Sequence, residues 1–206
     1  MENFGAISID NNVLKATGYN FDRGLLKELE QFKTSSVKVI QTDVIHNEAI
    51  KHMGIEITKA KNLISDALRS AGNQLKIDAE KIKAVELLLS IEGEVSEIAD
   101  KRLINYYDKI GAEVIESSKY IDVKKLMEMY FETQAPFELK EKKKNEFPDA
   151  IALLSLENWA EENSLNVLAV SNDKGWINYC ETSKRITTVS DLSVAFHYRT
   201  LLTPCF

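Results

Sequence analysis

Four consecutive apolar residues, Val167-Leu-Ala-Val170, run straight into the polar stretch Ser171-Asn-Asp173. A strand with one wet face alternates apolar and polar residues, whereas an unbroken run belongs to a strand covered on both faces. That is the mark of a parallel sheet sandwiched between helices. Gly5-Ala-Ile-Ser-Ile-Asp10, Val37 to Ile40, Glu113-Val-Ile-Glu116 and Ile186 to Val189 read as the companion strands. The segments between them are helical by period. Phe21, Leu25, Leu26, Leu29 and Phe32 form one stripe over 20–33, and Thr42-Asp43 caps a helix running to about Met53. Further helices are expected over Val123 to Phe131, from Pro148 to about Glu161, after Asp173, and from Ser190 to Leu202, while Asn11-Asn12 reads as a polar turn. Between Glu56 and Tyr107 the pattern is persistently helical, with Gly72, Gly93 and Gly111 as punctuation. The expected architecture is a three-layer α/β/α sandwich with a central, mostly parallel sheet. It forms a single domain over 1–206 with a large helical insertion at about 56–131.

Composition narrows the function classes. The chain has 206 residues, 44% of them hydrophobic and 28% charged, enough to bury one sizeable core and unlike a disordered chain. The longest apolar run, Ala150 to Leu154, is five residues, far short of the roughly 20 needed to cross a bilayer. Two cysteines and a start without a basic, apolar leader fit a reduced, cytoplasmic protein with no membrane role. The net charge of −6 argues against nucleic-acid binding by bulk electrostatics, so such binding needs a local basic patch or cations held by acids. Phosphate loops of the G-x-x-x-x-G-K-[ST] or G-x-G-x-x-G type, the G-x-S-x-G elbow and the H-E-x-x-H zinc motif are all missing from the sequence.

Ligands of open parallel sheets bind beyond the carboxyl ends of the strands, which is where Asp10 and Asp173 fall. Each also has a plain structural reading: Asp10 as a turn residue, Asp173 as a helix cap. Asp149 follows Pro148 in a first helical turn, where the helix dipole favours an acid, but the residues after it are apolar on every face. Glu48 projects between Val44 and Ile45, inside the apolar arc that Ala49 and Met53 extend. A carboxylate turned toward a core needs either a lysine or arginine partner or a divalent cation.

These positions, in Ile7-Ser-Ile-Asp10-Asn-Asn-Val-Leu14, Val44-Ile-His-Asn-Glu48, Lys144-Asn-Glu-Phe-Pro-Asp149 and Val170-Ser-Asn-Asp173-Lys174, resemble the PIN-like nuclease family. The last two motifs look like a bacterial subgroup encoded in defence or toxin contexts. The resemblance implies a metal-dependent phosphodiesterase acting on RNA, with Asp10, Glu48, Asp149 and Asp173 as catalytic, metal-binding acids. Asn12, Ser171, Asn172 and Glu146 would support them, with Mg²⁺ or Mn²⁺ as cofactor. Lys142, Lys143 and Lys144, in a stretch of four lysines and two glutamates from Glu138 to Lys144, would hold substrate phosphates. RNA is the implied partner. A homodimer, or a regulator docking on the helical insertion, is compatible with the pattern. A nuclease acting on single-stranded or nicked DNA is one alternative; a non-catalytic PIN-like interaction module is another. Two departures stand out: Asn11 where the family commonly has Thr, and Gly175 where it often carries a further acid. Tyr106, Tyr107, Tyr130 and Phe131 have the spacing of core residues rather than of a base-stacking platform, and Trp159 and Trp176 read as packing.

Overall fold

A computed structural model describes residues 4–89, 94–138 and 143–200. In chain order the elements are β1 (Ala6–Ile9), α1 (Asn11–Ala16), α2 (Gly24–Glu28), β2 (Lys38–Thr42), α3 (Asp43–Leu75), α4 (Ala79–Leu89) and α5 (Val95–Ile110). There follow β3 (Ala112–Ile115), α6 (Ser117–Tyr120), α7 (Val123–Glu132), α8 (Phe147–Glu162), β4 (Val167–Val170), α9 (Lys174–Cys180), β5 (Ile186–Val189) and α10 (Leu192–Thr200).

The strands form one five-stranded sheet in the order β3-β2-β1-β4-β5, every neighbouring pair parallel. This is the expected α/β sandwich, with all the expected strands in place. The chain builds outward from β1 to β2 and β3, then returns to the other side of β1 to lay down β4 and β5. The order therefore reverses between β1 and β4, and a crevice opens at their carboxyl ends. Ala6, Ile40, Val167, Ala169 and Ile186 join one core cluster with Ala150, Leu153, Leu154 and Trp159 of α8. Elsewhere in the core, Phe21 stacks on Tyr106 with ring centroids 4.2 Å apart, and the Tyr106 hydroxyl donates to the Leu26 carbonyl at 2.9 Å. Burying those phenols pushes the Tyr106 and Tyr107 hydroxyls far above their ordinary range, which suits core residues.

Several local expectations change. Asn11-Asn12 opens helix α1 instead of a turn, because the Asp10 carboxylate accepts from the Asn12 amide at 3.2 Å and so caps a first turn. The 20–33 stripe splits into α2 and a short 3₁₀ segment, Leu29–Phe32, which places Leu26, Leu29 and Phe32 in the core. Helix α3 runs 33 residues, well past Met53. Gly72 lies inside it; a side chain there would meet Ile82 Cγ1 at an ordinary 3.5 Å, so nothing in the packing demands a break. Gly111, at φ +68, does end α5. Gly93 and residues 201–206 lie outside the described residues.

The chain divides into two compact units. One comprises Met1–Ala49 with Asn105–Phe206 and contains the whole sheet; the other is helical, Ile50–Ile104. Among the described residues no helix is long and apolar enough to cross a membrane.

Candidate active site

Two of the four acids, Asp10 and Asp173, are set by the register of the sheet. Ile9 is paired with Val170, so the residues that leave the two strands, Asp10 and Ser171, emerge side by side. The Asp10 amide continues the ladder to the Val170 carbonyl at 3.0 Å, and the Ser171 hydroxyl donates to Asp10 Oδ2 at 2.7 Å. The Asp173 amide in turn donates to Ser171 Oγ at 3.0 Å. Ser171 thus ties the first acid to the last, from a fully buried position. Pro148 starts α8, and Asp149 lies in its first turn. Glu48 lies in the second turn of α3, directly after β2.

The plain structural readings are realised as well. Asp10 caps α1, and Asp173 caps α9 by accepting the Gly175 and Trp176 amides on Oδ1 at 2.7 and 3.3 Å. The Trp176 indole Nε1–H donates to Asp149 Oδ1 at 2.8 Å. That leaves Oδ2 of Asp149 and of Asp173 accepting no hydrogen bond among the described residues. Nor does any lysine or arginine among them pair with Asp10, Asp149 or Asp173.

Electrostatics reflects this lack of neutralisation. The Asp149 carboxyl is pushed up to about 7, first by burial and then by the negative charges of Asp10, Asp173 and Glu48, against the opposing indole bond. Asp10 is raised by burial, with Asp173 adding to it, against the hydrogen bonds from Ser171 and Asn12. Glu48 is thereby within electrostatic reach of Asp149.

A pocket of about 210 Å³ opens here, lined by Pro136, Glu138, Glu146, Asp149, Asp173, Lys174 and Gly175. Glu146 accepts the Glu138 amide on Oε2 at 2.7 Å, and Lys174 Nζ lies 3.9 Å from Glu138 Oε1. Glu138 belongs to a charged run in the sequence, and charge alone gave no signal that it would face the pocket. Gly175 has a steric explanation: a Cβ there would come within 2.9 Å of Pro136 Cβ and 3.0 Å of Asp173 Oδ1, so this backbone holds no further acid.

Other expected residues stand apart. Asn172 is exposed and engages nothing among the described residues. The Asn11 side chain is turned inward to accept the Tyr19 hydroxyl at 3.1 Å, which pins α1. Lys142 lies outside the described residues, and of Lys143 and Lys144 only the backbone is described, in a 3₁₀ turn just before α8. Tyr106 and Tyr107 are core, but Phe131 is 74% exposed.

PIN-like sites imply a divalent metal, and the donor chemistry fits one: hard carboxylate oxygens, among the described residues unpaired with any lysine or arginine, and two Oδ2 atoms, on Asp149 and Asp173, that accept no hydrogen bond there. They are not gathered into a finished cage, for among the described residues no three His, Cys, Asp or Glu form a metal-holding group.

No curated protein and no solved structure matches the chain significantly. A family model described as PIN domain matches residues 7–176, from the strand before Asp10 to Trp176. PIN domains are generally nucleases. Spanning most of the sequence and every acid of the crevice, that match makes this chain a member of the PIN domain family.

Proposed function

We propose that the chain is a Mg²⁺- or Mn²⁺-dependent endoribonuclease. The observation that carries this reading is the group of buried and half-buried, mutually repelling carboxylates at the β1–β4 crevice whose aspartates have no basic partner among the described residues, with Asp149 raised to about 7. A structural acid of this kind would be matched by a guanidinium or an ammonium; an acid awaiting a cation would not.

Asp10, Asp149 and Asp173 would hold the ion. When bound, the ion neutralises the carboxylates and polarises a phosphodiester. The chain's own residues supply the rest. Ser171 and the Asn12 amide hold Asp10 in one orientation, and the Gly175 and Trp176 amides hold Asp173. Glu48 either joins the ligands or orients the attacking water. Lys142, Lys143 and Lys144, just before α8, would draw the phosphates of a single-stranded RNA toward an otherwise acidic protein. The exposed leucines of residues 50–104 offer the surface for a regulator or a second copy.

Cleavage of mixed RNA substrates with Mn²⁺, wild type against Asp10→Asn and Asp149→Asn, tests the reading. Loss of at least about 100-fold is expected in each variant, and undiminished activity in both removes the acids from the mechanism. Matched RNA and DNA oligonucleotides decide the substrate. The lack of a ready-made metal group among the described residues favours a second reading, a PIN-like module that binds without cutting. Calorimetry that detects no Mn²⁺ binding to the folded protein selects that second reading.

A further inference from the structure

One residue reaches two of the acids at once. Trp176 gives its backbone N–H to Asp173 Oδ1 and its indole N–H to Asp149 Oδ1, at 3.3 and 2.8 Å. The two acids come from different elements: Asp173 from the turn after β4, Asp149 from the first turn of α8. Both are gripped on Oδ1, and on both Oδ2 accepts nothing among the described residues. The indole itself is 0% exposed and one of the largest fully buried side chains in the protein, so its ring has little freedom to swing away. Gly175, just before it, is pressed against Pro136 so closely that even a methyl group would not fit, which fixes the backbone from which the indole projects.

We infer that Trp176 is a positioning residue, a two-donor clamp that sets the separation and orientation of Asp149 and Asp173 so that their Oδ2 atoms face a divalent cation together. A buried indole N–H needs an acceptor in any fold. What distinguishes this one is that its acceptor is a carboxylate with no cationic partner among the described residues, whose neighbouring acid is held by the same residue. Groups that orient metal-binding side chains from behind typically change metal affinity about 10- to 100-fold when removed. The inference rests on the reading of the acids as metal-binding, and it adds the residue that arranges them.

The test measures Mn²⁺ binding by calorimetry, with no turnover needed. Trp176→Phe keeps the backbone N–H and most of the ring but removes the indole donor; an affinity loss of about tenfold or more is expected. Replacing Trp176 with benzothienylalanine, which swaps the N–H for sulfur within an otherwise similar bicycle, should weaken binding as Trp176→Phe does while leaving the thermal midpoint near wild type. Replacement with 7-azatryptophan, which retains the donor, should restore wild-type affinity. The chain has only two tryptophans, so the indole N–H signals offer a second readout. Mn²⁺ should broaden the Trp176 signal at low occupancy. The Trp159 signal, ten residues along α8 from Asp149 and so about 15 Å away along its axis, should broaden later. Affinity unchanged in both donor-less variants overturns the clamp and leaves the metal reading standing. Failure of the wild type itself to bind Mn²⁺ overturns the metal reading, and the clamp with it.

Discussion

Helix α8 in the sheet-bearing unit and, in the helical unit, α4 with the part of α3 beyond Ala49 carry comparable apolar side chains and treat them in opposite ways. In α8 every face is covered: Ala150, Ala152, Leu153, Leu154, Leu156, Trp159 and Ala160 are all buried. One side meets the sheet, and α6, α7 and α9 pack against the helix as well. Beyond Ile57, α3 leaves Leu63 and Leu75 70% exposed, and α4 leaves Leu87 and Leu88 75% and 84% exposed. Apolar period alone does not bury a helix; a second layer does. The consequence for function is direct. Asp149 sits at the start of a helix packed against the sheet and three other helices, where a functional carboxylate can be held to a fraction of an ångström.

The contrast is broken most forcefully in the core. Leu153→Ala, at a fully buried site under the sheet, should lower the unfolding free energy by about 2 to 5 kcal/mol in a urea titration. A loss below about 1 kcal/mol would mean that α8 is not packed as tightly as its burial indicates.

A subtler change concerns what the active-site acids do to the fold that carries them. Asp149 has a folded-state value near 7, against an ordinary 3.8. The native state therefore binds its proton more tightly than the unfolded chain does, and stabilisation from this group is complete below about pH 4. It is lost as pH rises through about 7. In the absence of divalent ions the thermal midpoint should fall over that window. Asp149→Asn, neutral at every pH, should flatten the fall and raise the midpoint at pH 8. An unchanged profile in the variant would show that Asp149 titrates at its ordinary value. Added Mn²⁺ should stabilise the wild type at pH 8 more than the variant.

Much of this region is legible in the residues themselves. Val167-Leu-Ala-Val170 announces a strand covered on both faces, and Asp10 and Asp173 follow two such strands, so a parallel sheet places them at one edge. Pro148-Asp149 marks a helix start without ambiguity. Illegible were the interactions that depend on approach in space. Nothing in the sequence tells a buried tryptophan that packs from one that also donates to an acid, so Trp176 read as core. Gly175 read as a missing acid, and only Pro136 beside it shows that the backbone leaves no room. The helical unit was legible as helix and illegible as surface. Leu63, Leu75 and Leu88 have the spacing of a buried stripe, and no local signal says whether a layer covers them. Helix α1 escaped notice because Asp10-Asn-Asn suits a turn and a capped helix equally.

The smallest expected effect sharpens the comparison from the helical side. Leu88→Ser removes a large apolar side chain that is 84% exposed, and an exposed leucine that touches little contributes little. The unfolding free energy should change by no more than about 0.5 kcal/mol. A loss near 2 kcal/mol would carry a definite meaning, since a side chain can be that valuable only when water is kept from it. It would show that Leu88 is kept from water in solution. Repeating the titration at tenfold higher protein concentration identifies the cover. A midpoint that rises with concentration assigns it to a second copy of the chain, because association stabilises the folded state by mass action. A midpoint independent of concentration assigns the cover to the chain itself and removes the face as a docking surface.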